Sequence, residues 1–269
     1  MPDFPQVARF DPLKISVCQL PDNLSPGQPA WRDLRRRIES DRPDVALLNE
    51  MPFGPWLATE ATFTADSAMA SIHTHDSALR ALRELSAAVI SSRPVRGKCK
   101  LANEAYLLAD GEYRPLHQKH YFPQEPGFFE ETWFACDRPG FEVAEYRGLR
   151  IGVLLCTEIM FTEWARQYRR QGAHAIVVPR GSGTVMRHWH AAAQMAAIAS
   201  GCYVLSSNRV SDSVSPKPHF GGRGFAYSPS GELLGETSAN SPLICVNIDP
   251  ALVEEAQRSY PCYVRELDA

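Results

Sequence analysis

Short apolar runs rich in β-branched residues alternate with amphipathic stretches throughout this 269-residue chain. Apolar residues at a period of about 3.6 predict helices, and short apolar runs bounded by turn residues predict buried strands. Helices are predicted over residues 31–40, 77–88, 161–171 and 187–200, with a short one starting at Pro250. Strands are predicted over residues 15–20, 44–49, 89–91, 101–108, 113–117, 141–146, 149–155, 175–178, 203–207, 224–227, 232–235 and 243–248. This alternation restricts the chain to the α/β fold class.

Tight turns in the middle of the chain predict antiparallel pairing beside the helix-connected strands. Ala109-Asp110-Gly111 and Arg147-Gly148 each lie between two predicted strands, as hairpin turns do. Strands joined by helices and strands joined by hairpins together make mixed sheets, each covered by helices on one face. No repeat, low-complexity tract or long linker divides the chain. We therefore predict a single α/β domain over residues 1–269.

Charge and composition argue against several classes of protein. The chain has 28 basic and 31 acidic residues, a net charge of −3, and its densest basic stretch, residues 35–37, falls on a predicted solvated helix face. A nucleic acid partner is therefore not expected. No apolar run approaches the roughly 20 residues that span a bilayer, and the N-terminal residues lack signal-peptide features. The protein is therefore not expected to bind membranes. Seven cysteines without a CxxC pair predict a reduced, cytoplasmic protein.

Three strand-like runs end in a reactive side chain, namely Glu50, Lys119 and Cys156. Taken singly, a strand-end glutamate is usually solvated, and a cysteine after an apolar run is usually a small core residue. Taken together, they supply a thiol nucleophile, a carboxylate to take its proton and an ammonium to stabilise an oxyanion. The combination predicts covalent hydrolysis at an amide or nitrile carbon.

In these motifs the chain resembles the nitrilase superfamily of carbon–nitrogen hydrolases. The resemblance includes Glu50 at the end of the second strand, Lys119 before Phe122-Pro123, and Cys156 at the end of Ile151-Gly152-Val153-Leu154-Leu155-Cys156. Further matches are Pro126-Gly127-Phe128-Phe129-Glu130, Phe141-Glu142-Val143, Gln171-Gly172-Ala173, Gly201-Cys202-Tyr203-Val204 and Ser207-Asn208-Arg209. The resemblance extends from Ile15 to about Ile248.

The resemblance implies a four-layer α-β-β-α sandwich with two mixed β-sheets. By position, Cys156 would be the nucleophile, Glu50 the general base and acid, and Lys119 the stabiliser of the oxyanion, helped by the backbone N–H that follows the cysteine. The second glutamate of the family best matches Glu130, with Glu125 as the alternative because the intervening loop varies in length. The resemblance also implies no cofactor or metal, and a homodimer or larger homo-oligomer.

Within this family the predicted reaction is hydrolysis of a linear amide or N-carbamoyl compound. The segment 119–134 looks most like the carbamoyl-amine and carbamoyl-amino-acid hydrolase branches. Nitrile hydrolysis, amide-forming acyl transfer and a non-catalytic binding subunit of the same fold are the alternatives. The partner is therefore expected to be a small amide, carbamoyl or nitrile compound.

The residues after the nucleophile depart from the family pattern and are candidates for substrate binding. Many members have tryptophan directly after the cysteine, whereas here Thr157 and Glu158 follow it. Because threonine removes a bulky side chain beside the nucleophile, the pocket lining is expected to differ from that of the tryptophan-bearing branches. Substrate identity therefore does not transfer from those branches.

Arg180 and Trp189 are further candidates for the substrate pocket. Arg180 follows the buried run 175–179 and should lie at a strand end near the nucleophile. Its guanidinium could hold a substrate carboxylate, or it could pair with Glu158 or Glu130 and only brace the pocket. Trp189 is predicted to form part of the pocket wall.

The stretch 51–76 is long, aromatic and without clear periodicity, and it directly follows Glu50. It is therefore expected to shape the pocket, with Phe53 and Trp56 as lining residues. The alternative for both side chains is packing on neighbouring helices.

Neither the histidines nor the remaining cysteines predict a metal site. His188 and His190 lie two positions apart on a predicted helix and point in different directions, so they cannot easily share a metal. His117 and His120 flank Lys119 and are expected to order its loop. Core positions are predicted for three cysteines: Cys18, Cys202 and Cys245.

Overall fold

A computed structural model of the protein describes residues 11–212 and 218–265. The helices are α1 (Pro29–Asp41), α2 (Ala65–Leu82), α3 (Glu130–Trp133), α4 (Glu163–Arg170), α5 (Arg187–Ser200) and α6 (Pro250–Arg258). Short 3₁₀ turns cover Leu57–Thr59 and Cys156–Met160. The strands are β1 (Leu13–Pro21), β2 (Val45–Leu47), β3 (Ala88–Arg96), β4 (Leu101–Ala109), β5 (Glu112–Gln118), β6 (Gln124–Glu125), β7 (Phe128–Phe129), β8 (Ala144–Tyr146), β9 (Leu149–Val153), β10 (Ala175–Val178), β11 (Tyr203–Ser206), β12 (Asn208–Val210), β13 (Phe225–Tyr227), β14 (Leu233–Glu236) and β15 (Leu243–Ile248).

Two mixed sheets form the centre of the molecule, as the turn pattern predicts. In the first sheet the strand order is β12-β1-β2-β3-β4-β5, with β15 also paired to β1. Strands β1, β2 and β3 run parallel, whereas β3, β4 and β5 form antiparallel hairpins. In the second sheet the order is β14-β13-β11-β10-β9-β8, with parallel strands β9, β10 and β11 at its centre. A separate two-stranded ribbon, β6–β7, was not predicted.

The sheets stack face to face, and helices cover their outer faces. Inward-facing apolar side chains of both sheets form one shared core: Ile15, Val17, Val45, Leu47, Ile151, Val153, Val177 and Leu205 among others. The other face of the first sheet packs on α1 and α2, and the other face of the second packs on α4 and α5. The α-β-β-α sandwich is thereby confirmed. Since β10 is buried on both faces, its sequence is a continuous apolar run without alternation.

The largest error in the predicted elements concerns α2. The predicted helix 77–88 in fact begins at Ala65 and ends at Leu82, and residues 88–96 form β3. Thr64 caps the helix, because its side chain accepts a hydrogen bond from the backbone N–H of Ser67. Polar residues interrupt the first turns of the helix, which hides its apolar stripe. The irregular stretch after Glu50 is therefore shorter than predicted.

The cysteines are distributed nearly as predicted. Cys18 and Cys202 are buried, which confirms the prediction, but Cys245 is exposed. Cys245 lies on β15, where the inward positions are Val246 and Ile248. The prediction of a core position for Cys245 is wrong because strand alternation turns its side chain to the outer face. Among the described residues no helix has the length and apolarity needed to cross a membrane.

Candidate active site

Glu50, Lys119 and Glu130 form one buried ionic network at the strand ends. The Lys119 Nζ atom lies 2.9 Å from Glu50 Oε1 and 2.6 Å from Glu130 Oε2, and all three side chains are inaccessible to solvent. The structure therefore brings Glu130 to the predicted lysine. The alternative, Glu125, lies exposed on β6. This geometry supports the choice of Glu130 as the second glutamate.

Glu50 is held by both sheets. Its backbone N–H donates to Arg180 O (3.4 Å), and its Oε2 accepts from the backbone N–H of Gly181 (3.1 Å). From the first sheet, Asn103 Nδ2 donates to Glu50 Oε1 at 2.8 Å. Asn103 was not predicted as a site residue, because its only signal in the sequence is its position as a polar residue within the mostly apolar strand β4. Together with Lys119 Nζ, the Gly181 N–H and Asn103 Nδ2 are three donors that orient the Glu50 carboxylate before any substrate arrives.

The two carboxylates determine the ionisation of Lys119. Burial by itself lowers the pKa of the ammonium, but the charges of Glu130 and Glu50 outweigh burial and raise it. Burial raises the pKa of Glu130, the charge of Glu50 raises it further, and Lys119 opposes both. Lys119 therefore stays a cation at neutral pH, as an oxyanion stabiliser must.

Cys156 lies beside this network, at the start of the 3₁₀ turn that follows β9. Its backbone N–H donates to Pro179 O (3.0 Å), and its φ of +51° is in the left-handed region that non-glycine residues rarely adopt. Burial, followed by the charge of Glu50, raises the pKa of the thiol well above its usual range, while Lys119 and a hydrogen bond from Gly181 lower it. The free protein therefore holds a neutral thiol next to a carboxylate that can accept its proton.

Most of the chain matches a known family. The sequence model of the carbon-nitrogen hydrolase family matches residues 14–258. The chain belongs to this family. It is part of the nitrilase superfamily, which confirms the resemblance stated above.

Curated relatives and solved structures agree with this assignment. The chain is 27% identical to the N-carbamoylputrescine amidase of Arabidopsis thaliana over 171 residues, which cover 58% of this chain and 57% of that protein. It is also 27% identical to the omega-amidase NIT3 of Saccharomyces cerevisiae over 114 residues, 42% of this chain and 39% of that protein. A carbon-nitrogen hydrolase from Helicobacter pylori G27 has the same fold, with a TM-score of 0.82 at 20% identity and 94% of both chains covered. The chain thus spans little more than half the length of the first of these curated relatives, and less of the second.

Glu158 is occupied by hydrogen bonds within the protein. Its carboxylate is fully buried and accepts hydrogen bonds from Leu155 N (2.7 Å), His120 N (2.7 Å) and His117 Nε2 (2.8 Å). Because protein donors occupy both oxygens, the geometry does not support the predicted contact of Glu158 with substrate. Thr157, by contrast, directly follows Cys156 and is only partly buried, and its predicted contact with substrate stays a prediction.

Arg180 makes neither of the predicted ion pairs within the described part of the chain. Its guanidinium lies between the rings of Trp189 and Phe225, at 4.9 and 5.0 Å, and donates to Ser182 Oγ and Arg223 O, each at 3.1 Å. Of the two alternatives for Arg180, pairing with Glu158 or Glu130 is therefore wrong. Burial lowers the pKa of the guanidinium to about 9. The partly buried Trp189 packs on this cation, and a contact of either residue with substrate stays a prediction.

The two aromatic residues after Glu50 have different surroundings. Phe53 is almost fully buried and packs against Trp31 and His75, so the alternative of helix packing applies to it. The Trp56 ring lies over the Arg209 guanidinium, with 5.2 Å from the guanidinium carbon to the ring centroid. Trp56 is also close to Gly181, because a Cβ atom added to this glycine would lie 3.2 Å from the Trp56 ring. Both aromatic residues also line a cavity of about 670 Å³. Of the two, Trp56 is the one next to the catalytic network.

His117, His120 and Glu158 are a group of ligand types that could hold a metal, with donor atoms within 4.8 Å of one another. The Glu158 oxygens, however, already accept the three N–H donors described above. His117 Nδ1 accepts from Phe141 N (3.4 Å), and His120 Nδ1 contacts Gln118 O (2.7 Å). The group is therefore organised as a hydrogen-bonded network in which the ring nitrogens have protein partners.

The state of the Cys156 thiol gives a first testable prediction. Because its pKa is raised, the difference in thiolate absorbance near 240 nm between wild type and Cys156→Ser should be close to zero at pH 7. When both proteins also carry Glu50→Gln, this absorbance difference should appear at a lower pH than with Glu50 present, because the carboxylate that disfavours the thiolate is gone. Other buried thiols, such as Cys202, are common to both proteins and cancel. A full thiolate signal at pH 7 in wild type would contradict the proposed proton placement.

Proposed function

We propose that the protein hydrolyses a linear amide or N-carbamoyl compound through a thioester on Cys156, releasing ammonia or an amine. The observation that carries this proposal is the buried Glu50–Lys119–Glu130 network beside the buried thiol of Cys156. Membership of the carbon-nitrogen hydrolase family supports hydrolysis at a C–N bond. The names of its relatives, N-carbamoylputrescine amidase and omega-amidase, favour amide or carbamoyl substrates.

The acylation step uses the neutral thiol and the ionised carboxylate. As Sγ attacks the substrate carbonyl carbon, Glu50 takes the thiol proton and the carbonyl electrons move to oxygen. Lys119 and the backbone N–H after Cys156 stabilise this oxyanion. When the intermediate collapses, Glu50 gives its proton to the departing nitrogen, the C–N bond breaks and a thioester remains.

The deacylation step repeats the same proton transfers with water. Glu50 takes a proton from a water molecule, whose oxygen attacks the thioester carbon. Collapse of the second oxyanion releases the acid, and the proton returns to Sγ. Glu130 accepts a hydrogen bond from Lys119 through Oε2, while its Oε1 is buried without a hydrogen-bond partner among the described residues and can accept an N–H from substrate.

A substrate panel tests this proposal. Wild-type protein is expected to release ammonia from at least one of four classes: primary amides, N-carbamoyl amino acids, N-carbamoyl amines and nitriles. Release should be absent with Cys156→Ala. A preference for nitriles would replace the amide proposal by nitrile hydrolysis, and product formed only with an added amine would replace it by acyl transfer. No release from any class, by protein whose Cys156 is still alkylated by iodoacetamide, would contradict the proposal.

A further inference from the structure

Glu158 joins the loop of the nucleophile to the loop of the lysine. Of its three donors, Leu155 directly precedes Cys156, and His120 directly follows Lys119. The third donor, His117, lies at the end of β5 on the other side of the lysine. One carboxylate thus holds both catalytic loops at hydrogen-bond distance.

We propose that Glu158 is a positioning residue that fixes the Cys156 thiol relative to the Lys119 ammonium. The backbone N–H groups of these two residues are anchored to separate sheets, since Cys156 N donates to Pro179 O at 3.0 Å and Lys119 N donates to Asn103 O at 2.9 Å. Neither of those bonds links the two loops to each other. The proposal rests on the proposed catalytic roles of Cys156 and Lys119.

His117 serves this carboxylate as a fixed donor. Since its Nδ1 accepts the backbone N–H of Phe141 (3.4 Å), the ring proton is assigned to Nε2, which faces Glu158. The ring stacks on His120, with centroids 5.3 Å apart, and packs at a tilt against Phe141, with centroids 4.8 Å apart. A Cβ atom at Gly140 would lie 2.8 Å from Nδ1, so glycine allows the loop to approach this closely.

Replacing the carboxylate by the isosteric amide is the sharpest probe of this arrangement. Three N–H donors converge on two oxygens, and hydrogen bonds to an ionised acceptor are stronger than neutral ones. The NH₂ group of glutamine would meet at least one of these donors and leave it buried without a partner. The two loops would then separate, although the shape of the side chain is unchanged.

The test uses Glu158→Gln with a pair of histidine variants and a matched control. His117→Gln keeps an N–H near the position of Nε2, whereas His117→Leu removes it. His174→Leu is the control. His174 is also buried, and its Nδ1 also accepts a backbone N–H, from Arg150 (3.0 Å). It directly precedes β10, however, and so lies at the opposite end of the second sheet from Cys156. Two rates are measured on folded protein: kcat on the best substrate, and alkylation of Cys156 by iodoacetamide, located by mass spectrometry.

Glu158→Gln and His117→Leu are expected to lower kcat about 10²-fold with KM changed less than about threefold, since small displacements of reacting groups have effects of this size. Both should also slow alkylation of Cys156, because a displaced turn loses Lys119 as the partner of the thiolate. His117→Gln should restore most of both rates, and His174→Leu should change neither. Rates within twofold of wild type in both Glu158→Gln and His117→Leu, or an equal loss in His174→Leu, would overturn the proposal. If alkylation follows this pattern but wild type hydrolyses no amide, positioning by Glu158 stands and the proposed function fails.

Discussion

Replacing Cys156 with alanine is expected to lower the rate of amide hydrolysis by roughly 10⁴-fold or more. The reason is that Cys156 supplies the thiol beside Glu50, Lys119 and Glu130, and alanine leaves this network without a nucleophile. Substrate should still bind, because the ionic network and the donors that hold it remain. Single-turnover assays for hydrolysis and calorimetric titration for binding measure the two effects separately.

Cys202→Ala is the matched control for this substitution. Cys202 is also a fully buried cysteine, and burial raises the pKa of its thiol to about 12. Its Sγ donates to Ala173 O (3.1 Å) in the helix-covered core of the second sheet, away from the catalytic network. Both variants should therefore lose a similar amount of stability, about 1 kcal/mol, by the loss of buried volume. Only Cys156→Ala should lose activity, and comparable hydrolysis by the two variants would remove Cys156 from the mechanism.

Much of the fold could be predicted from local sequence because its central strands are apolar runs between clear turn signals. The bounds of α5, β10 and β15 agree with the prediction to the residue. The start of α2 could not be predicted in this way, because polar residues on its exposed face dilute the apolar period. The length of the loop before it was misjudged for the same reason.

The meeting of Glu50, Lys119 and Cys156 was predicted from their shared position after strands. The contacts of Glu158 and Arg180 were not, because nearness in sequence to a nucleophile or a strand end does not say which way a side chain turns. The 3₁₀ turn that starts at Cys156 directs the Glu158 carboxylate back to Leu155 N. Arg180 lies two and four positions after Val178 and Ile176, so its side chain points to the same face of the sheet as theirs, towards the helix layer. Both facts depend on backbone geometry that no spacing rule contains.

Replacing Lys119 with methionine is expected to lower kcat/KM by about 10³-fold and to destabilise the protein by roughly 3–5 kcal/mol. The loss of activity follows from removal of the charge that stabilises the oxyanion. The loss of stability follows because Glu50 and Glu130 would remain buried without their cation. Activity assays and urea unfolding measure the two effects. Lys14→Met is the control, since Lys14 Nζ donates to Asp41 O at an exposed site.

The destabilisation in Lys119→Met should depend on pH with a defined sign. Burial already raises the pKa of Glu130 in the wild type, and removing Lys119 takes away the charge that opposes this rise. A carboxyl group whose pKa is higher in the folded than in the unfolded state favours folding below its unfolded pKa, and this contribution is lost as the pH rises through the folded pKa. Lys119→Met should therefore lose less stability at pH 5 than at pH 8. Adding Glu130→Gln to Lys119→Met should recover stability at pH 8 without recovering activity. Equal destabilisation of Lys119→Met at both pH values would show that the Glu50 and Glu130 carboxylates do not need Lys119 for their stability in the folded protein.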